Sequence, residues 1–284
     1  MKGVVVGCGR WGANHLRVLK KMNVSVSGCD IVKSKACQEY EVSQFIGEYK
    51  DYDKYASNHD FVVVSTPPTN HFCIALEALF RGKHVLVEKP YVMTAYECDT
   101  LNIVAKRIQK VIHVDLTFLY DDGFKKLLEL KKELGQIKYI LSKRLGASFH
   151  EDISVVWNLA IHDIYMSNEI MDPFPLVKCN KLDLGPNTSK IELEYSHGGK
   201  VDILVSWDHP VRSRSFIIGS DKGIMEYNID ISDNIQTSLM EVKVNKEEAL
   251  VNLYNHFFER IEQKDYMSHL SKYTELMNTL LKLK

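Results

Sequence analysis

The sequence has no apolar run approaching the roughly 18 residues that a membrane-crossing helix needs. A transmembrane protein is therefore not expected. It has no excess of basic charge either: 36 Lys and Arg stand against 37 Asp and Glu, for a formal net charge of −1. That balance offers little to a nucleic-acid backbone, and no nucleic-acid partner is expected. The chain enters a strand-like run at once, so no signal peptide is expected. Its six cysteines (Cys8, Cys29, Cys37, Cys73, Cys98 and Cys179) show no C-x-x-C spacing. They read as reduced thiols of a cytoplasmic protein. No metal site stands out, because His150, Glu151 and Asp152 lie together without a further spaced ligand. Repeats and low-complexity linkers are missing as well. What remains is 45% hydrophobic and 26% charged, the composition of a soluble globular protein. At 284 residues it has room for one large or two ordinary domains.

The first fifteen residues organise the rest. Val4-Val5-Val6 is a β-branched run of the kind buried on both faces of a parallel sheet. Gly7-Cys8-Gly9-Arg10-Trp11-Gly12 follows, and then an amphipathic stretch with Ala13, Leu16 and Leu19 at helical spacing. Strand, glycine turn and helix are the context that a G-x-G-x-x-G pattern requires. Gly7 allows the tight turn, Gly9 admits a pyrophosphate, and Gly12 lets helix and strand pack closely. The helix N-terminus offers N–H groups and partial positive charge to phosphates. A second β-rich run, Val24 to Cys29, ends at Asp30, near the roughly 20-residue spacing of an acid that binds a ribose. A carboxylate there favours NAD over NADP, whereas Lys33 and Arg10 lie near enough in sequence to weaken that preference. The other reading of Asp30 is an N-cap for the helical stretch from Lys33.

Strand-like segments at 3–7, 24–30, 61–65, 84–87 and 110–114 alternate with helical patterns at 13–22, 33–42, 70–81 and 94–108. Such alternation predicts a doubly wound parallel sheet. Two of these strands carry chemistry at their carboxyl ends, where open α/β sheets bind ligands. One runs into Ser65-Thr66-Pro67-Pro68-Thr69-Asn70-His71, whose double proline stiffens the loop and whose Thr69 or Asn70 can cap the next helix. The other ends in Glu88-Lys89-Pro90. Charged groups there are costly unless they reach solvent or a partner. A surface ion pair is the simpler reading of Glu88 and Lys89; a lysine aimed into the crevice is the functional one. The pattern changes near 115–120. Helices are expected at 121–134, 155–171, 247–263 and 268–283. Strands are expected at 136–144, 176–184, 189–196, 200–207, 213–219, 222–228 and 236–244, which predicts a mostly antiparallel sheet.

These motifs, in this order, resemble the glucose-fructose oxidoreductase / inositol dehydrogenase (Gfo/Idh/MocA) family. The glycine turn, Ser65 to His71, Glu88-Lys89-Pro90, Leu116 to Tyr120 and Trp157 to Ile164 are similar to its successive signatures. The tryptophan forms are nearest to sugar-nucleotide 3-dehydrogenases. The resemblance implies an N-terminal Rossmann domain over residues 1–117. It implies a C-terminal α+β domain over 118–284 with a large open sheet, which binds substrate and pairs copies into homodimers or homotetramers. It implies NAD, with NADP as the alternative. It implies cofactor contacts from Gly7, Gly9, Arg10, Trp11, Gly12, Asp30, Ser65, Thr66, Pro67, Asn70, His71, Glu88 and Lys89.

Oxidising a sugar hydroxyl needs a hydride acceptor, which the cofactor supplies, and a proton acceptor. The resemblance assigns that proton to His162, since an unperturbed imidazole titrates near pH 6.5. Lys89 donates to the same oxygen, and Asn158, four residues before His162, shares its helical face. Asn158 departs from the aspartate of many relatives and cannot titrate, which leaves the proton to His162 or to Lys89. Lys143 and Arg144 are the basic pair that can hold a substrate diphosphate. Asp115, Asp121 and Asp122 also depart from the family pattern and disfavour a sugar phosphate if they face it. Two other readings remain: a dinucleotide-binding regulator without turnover, and a reductase of another small carbonyl or imine.

Overall fold

The computed structural model describes residues 1–31, 35–40, 45–46, 59–146, 153–230, 234–237, 241–244 and 247–284. Lys33, His150, Glu151 and Asp152 lie outside the described residues, as do parts of the helix expected over 33–42. The chain divides into two compact units. One comprises Met1–Asp115 with Leu250–Met277, the other Leu116–Ala249 with Asn278–Lys284.

The first unit is built on six strands: β1 (Lys2–Val6), β2 (Ser25–Cys29), β3 (Phe45–Ile46), β4 (Phe61–Val64), β5 (His84–Val87) and β6 (Ile112–Val114). Their order is β3-β2-β1-β4-β5-β6, and every neighbouring pair is parallel. This is the doubly wound nucleotide-binding order, which reverses direction beside β1. Val4, Val5, Val62, Val63, Val64, Val85, Leu86 and Val87 are fully buried. That is why these strands read as continuous apolar runs rather than alternating ones. The crossover helices are α1 (Arg10–Lys21), α2 (Lys35–Glu39), α3 (His71–Phe80) and α4 (Ala95–Ile108). Thr94 and Glu97 close a capping box at the start of α4.

The first break between units falls after Asp115, beside the change of pattern near residue 117. The second break was not expected, because Leu250–Met277 returns to the first unit. The cause is an arginine and an aromatic stripe. Arg260 is almost fully buried and donates to the carbonyls of Ile112, Asp265 and Ser268 at 3.2, 3.1 and 2.9 Å. Phe257 and Phe258 meet the Phe61 ring edge-on at 5.7 and 5.4 Å. Losing the Arg260 side chain would leave several carbonyls unpaired.

The second unit holds an eight-stranded sheet of order β14-β13-β12-β11-β7-β10-β9-β8. Its strands are β7 (Ile137–Leu145), β8 (Leu176–Gly185), β9 (Thr188–Tyr195), β10 (Lys200–Ser206), β11 (Ser213–Ser220), β12 (Ile224–Asn228), β13 (Asn234–Thr237) and β14 (Glu241–Lys243). All pairs are antiparallel except β7 with β10. The single strand expected over 236–244 is instead the antiparallel pair β13 and β14. Before α6 (Ile161–Met171) the chain makes a π turn over Val156–Ala160, where one continuous α-helix was expected. The remaining helices are α5 (Asp122–Leu130), α7 (Ala249–Glu262) and α8 (Leu270–Lys282).

Candidate functional site

The glycine turn sits at the carboxyl end of β1. Gly7 has φ +87° and donates its N–H to the Cys29 carbonyl at 2.8 Å. A Cβ on Gly7 would meet the Ser65 and Thr66 backbone at 2.7 Å. Ser65 adds a hydroxyl bond to the Gly7 carbonyl at 2.6 Å, so the loop after β4 braces the turn. A Cβ on Gly12 would lie 1.9 Å from the Gly7 oxygen, so α1 packs against the turn without a side chain between them. A Cβ on Gly9, by contrast, meets no atom within 4 Å. Helix α1 has no side-chain cap and no acid in its first turn. An uncapped helix N-terminus over a glycine with open space fits a pyrophosphate. Asp30 directly follows β2 and its Oδ2 accepts the Cys8 N–H at 2.6 Å, so the carboxylate stands beside the turn. Arg10 and Trp11 are exposed on the first turn of α1. Ser65 and Thr66 are half-buried, and Pro67 and Asn70 are exposed. Asn70 makes no capping bond to α3.

Two residues expected at the cofactor face inward instead. His71 is fully buried, with Nδ1 2.9 Å from the Pro90 carbonyl and Nε2 2.9 Å from the Thr66 carbonyl. It ties the two loops together from behind. Glu88 is also buried: Oε1 lies 3.1 Å from His15 Nε2, and Oε2 accepts the Lys89 N–H at 3.1 Å. Lys89 itself is half-buried.

In the second unit, His162 sits in the first turn of α6 and is half-buried. Its Nδ1 lies 3.0 Å from the Tyr165 hydroxyl, which accepts the Phe118 N–H at 3.3 Å. The Phe118 and His162 rings meet edge to face at 5.0 Å. Tyr165 was not singled out in the sequence, although its three-residue spacing from His162 is that of helical neighbours. Asn158 is buried within the π turn. A π turn closes i→i+5 bonds, so the four-residue step to His162 falls short of a full turn there.

Lys143 and Arg144 do not form a pair. Adjacent strand residues point to opposite faces. Arg144 is turned inward, 2% exposed, and donates Nε to Asp163 at 2.7 Å. Its guanidinium lies 4.6 Å over the Phe118 ring. Ser142 donates to the other Asp163 oxygen at 2.6 Å. Lys143 is half-buried on the other face. The three acids of the departure from the family pattern do structural work. Asp115 is buried 3.6 Å from His15. Asp121 caps α5 through the Phe124 N–H at 3.1 Å and binds the Tyr227 hydroxyl. Asp122 accepts the Glu247 N–H at 2.8 Å.

The first unit also concentrates uncharged histidines. Burial, with Lys110 nearby, pushes His84 down to about 4, and burial with Arg260 and His256 does the same to His269. Burial and Arg260 hold His113 well below its usual range, and burial lowers His71. A histidine with a lowered folded pKa gives its full stabilisation above the unfolded value near 6.5. It loses that stabilisation as pH falls through that value, because the unfolded chain takes up the proton first. His15 moves the other way. Burial pulls it down, but the Glu88 bond and the Glu88 and Asp115 charges raise it overall. Four against one, the melting temperature is expected to fall by about 10 °C between pH 6.5 and 4, allowing for partial exposure of His84 and His269. Calorimetry across that window checks it. His84→Asn should flatten the fall, because the amide oxygen can replace the Nδ1 that accepts the Val111 N–H at 3.0 Å and cannot titrate.

A glycine cradle at the carboxyl end of a parallel sheet of this order defines a dinucleotide-binding Rossmann unit. Residues 1–116 match the family model GFO_IDH_MocA, an oxidoreductase family with an NAD-binding Rossmann fold. The inositol 2-dehydrogenase of Salmonella paratyphi B is 28% identical over 181 residues, covering 58% of this chain and 52% of the relative. The UDP-N-acetylglucosamine 3-dehydrogenase of Acidithiobacillus ferrooxidans is 26% identical over 175 residues, with the same two coverages. The chain thus spans about half the length of the curated relatives it matches. A solved structure of the Acidithiobacillus enzyme superposes with TM-score 0.84 at 18% identity, covering 100% of this chain and 96% of that one. An inositol dehydrogenase homologue from Azotobacter vinelandii, complexed with NADH and myo-inositol, gives 0.84 at 16% identity, covering 100% and 94%. These structural likenesses establish the fold. Among the described residues, no helix is long and apolar enough to cross a membrane.

Proposed function

We propose that this protein is an NAD-dependent dehydrogenase of a sugar, most suitably a nucleotide-linked one. The observation that carries the reading is the His162–Tyr165 contact at 3.0 Å, on a half-buried imidazole in a chain whose other unit carries the dinucleotide cradle. When bound, the nicotinamide supplies hydride transfer. The residues of this chain supply the rest. In the tautomer that carries its proton on Nδ1 and donates it to the Tyr165 hydroxyl, the lone pair stands on Nε2, and in that form His162 takes the proton of the reacting hydroxyl. Lys89 donates a hydrogen bond to that oxygen as charge develops. Asn158 orients the hydroxyl without titrating. Asp30 accepts from the adenosine ribose and repels a 2′-phosphate, which favours NAD over NADP.

The test is NADH formation with a panel of nucleotide sugars, free sugars and inositols, together with the reverse reaction on keto sugars. Reduction of NAD by at least one nucleotide sugar is expected. No turnover in either direction would sink the reading. Asn158 in place of an acid supports a second reading, a dinucleotide-binding regulator, which predicts bound NAD that no substrate reduces. Tyr165→Phe is expected to lower kcat about tenfold with little change in KM, through loss of imidazole orientation. Steady-state kinetics on the true substrate checks it.

The second unit also supports self-association. Along β9, Ile191, Leu193 and Tyr195 are buried while Lys190, Glu192 and Glu194 alternate on the opposite face. Tyr139 and Ile224, 39% and 57% exposed, add apolar area. We propose pairing of copies through this sheet. Light scattering that returns only the 32.7 kDa monomer mass would count against it.

A further inference from the structure

Behind the glycine cradle lies a group of buried polar side chains that the turn itself does not require. His15 is on α1, 0% exposed, with Nε2 3.1 Å from Glu88 Oε1 and 3.6 Å from Asp115 Oδ2. Its Nδ1 lies 2.8 Å from the Tyr254 hydroxyl of α7. Four segments of the first unit therefore converge on one imidazole: α1, the end of β5, the end of β6 and α7. Two carboxylates in an apolar interior need a proton or a cation to be tolerated. His15, Glu88 and Asp115 are also, among the described residues, the group whose ligand atoms lie close enough for a metal ion, within 4.8 Å of one another. A shared proton accounts for the 3.1 Å separation without an ion.

Glu88 uses both of its oxygens. Oε1 meets the imidazole, and Oε2 accepts the backbone N–H of Lys89 at 3.1 Å. Rotation of the carboxylate to follow any other partner breaks one of these bonds. We infer that His15 is a positioning residue for Lys89, acting through Glu88, so that the helix seating the dinucleotide also fixes the backbone from which the lysine projects. The inference rests on the dehydrogenase reading for its catalytic consequence, but the geometry it concerns lies wholly within the first unit. It makes Tyr254 and Asp115 partners in the same device: one orients the ring through Nδ1, the other adds charge beside Nε2.

The experiment compares His15→Leu, His15→Gln and Tyr254→Phe with wild type. Leu101→Ala, a buried substitution in α4, controls for stability alone. Two quantities are read: kcat and KM per folded enzyme, and the rate at which an amine-acylating reagent labels Lys89, followed by mass spectrometry without substrate. His15→Leu is expected to lower kcat about 10- to 100-fold, as a misplaced group does, with the KM for NAD within about threefold. It should also change Lys89 labelling. His15→Gln keeps an N–H toward Glu88 and should recover most of both. Tyr254→Phe should shift both in the same direction by less. A kcat loss in His15→Leu no larger than in Leu101→Ala overturns the inference, as does a His15→Gln no better than His15→Leu. Should wild type turn over nothing, the dehydrogenase reading fails and labelling alone decides; unchanged Lys89 labelling in His15→Leu then overturns the inference. If His15→Leu does not fold, unchanged labelling in Tyr254→Phe does so. A stoichiometric divalent ion in the purified protein, by elemental analysis, would also overturn it.

Discussion

Gly12→Ala is expected to abolish measurable NADH binding and to lower the melting temperature, whereas Gly9→Ala should lose binding at an unchanged melting temperature. The contrast comes from where each new methyl lands. At Gly12 it lies 1.9 Å from the Gly7 oxygen and 2.9 Å from the Gly7 carbonyl carbon. Both are backbone atoms, and Gly7 is held by the Cys29 and Ser65 bonds at 2.8 and 2.6 Å. Helix α1 must therefore move off the turn, and its N-terminus moves with it. An overpacked contact of this kind typically costs about 1–3 kcal/mol or more. At Gly9 the methyl meets no atom within 4 Å, so the folded protein tolerates it. The same methyl stands where a pyrophosphate must approach the first-turn N–H groups. Trp11 is 46% exposed on that first turn and gives a fluorescence signal for titration. Wild-type NADH affinity in Gly9→Ala would remove the cradle from the argument.

The first unit was largely legible because its strands are buried on both faces. Val62, Val63 and Val64 need no alternation to declare a strand, and the glycines declare the turn. Strand β3 was not legible: two residues, Phe45 and Ile46, carry too short a pattern to stand out. The reach of Leu250–Met277 was not legible either. Periodicity predicts an apolar stripe on α7, but not which unit that stripe covers. The π turn at Val156–Ala160 has no period that a heptad-like reading detects. Inward-facing His71 and Glu88 were misread for a related reason. A charged or polar residue at the end of a strand can turn toward the ligand or back into the core, and only distant partners decide. For Glu88 the partner is His15, 73 positions away in sequence. Arg144 repeats the lesson. Its neighbour Lys143 suggested a basic pair, but the strand separates them and Asp163 takes the arginine.

Lys89→Ala and His162→Ala are each expected to lower kcat/KM by about three orders of magnitude, with NADH affinity within a few-fold of wild type. Cofactor binding and chemistry rest on different groups. The cradle is made by Gly7, Gly9, Gly12, Asp30 and Ser65, whereas His162 is a residue of the other unit. Removing the imidazole leaves that cradle intact. Removing the lysine side chain leaves the Lys89 N–H, which Glu88 holds at 3.1 Å, so the loop keeps its anchor. What disappears is the donor to the reacting oxygen in one case and the acceptor of its proton in the other. The double variant should be little worse than the worse single one, because groups serving one transition state act as a unit. The pH dependence distinguishes the two roles. If His162 is the base, its loss removes the acid limb of kcat/KM, while Lys89→Ala keeps that limb at a lower plateau. Near-native rates in both variants on the true substrate would defeat the dehydrogenase assignment. A lost acid limb in Lys89→Ala, with the limb intact in His162→Ala, would instead exchange the roles of the two residues.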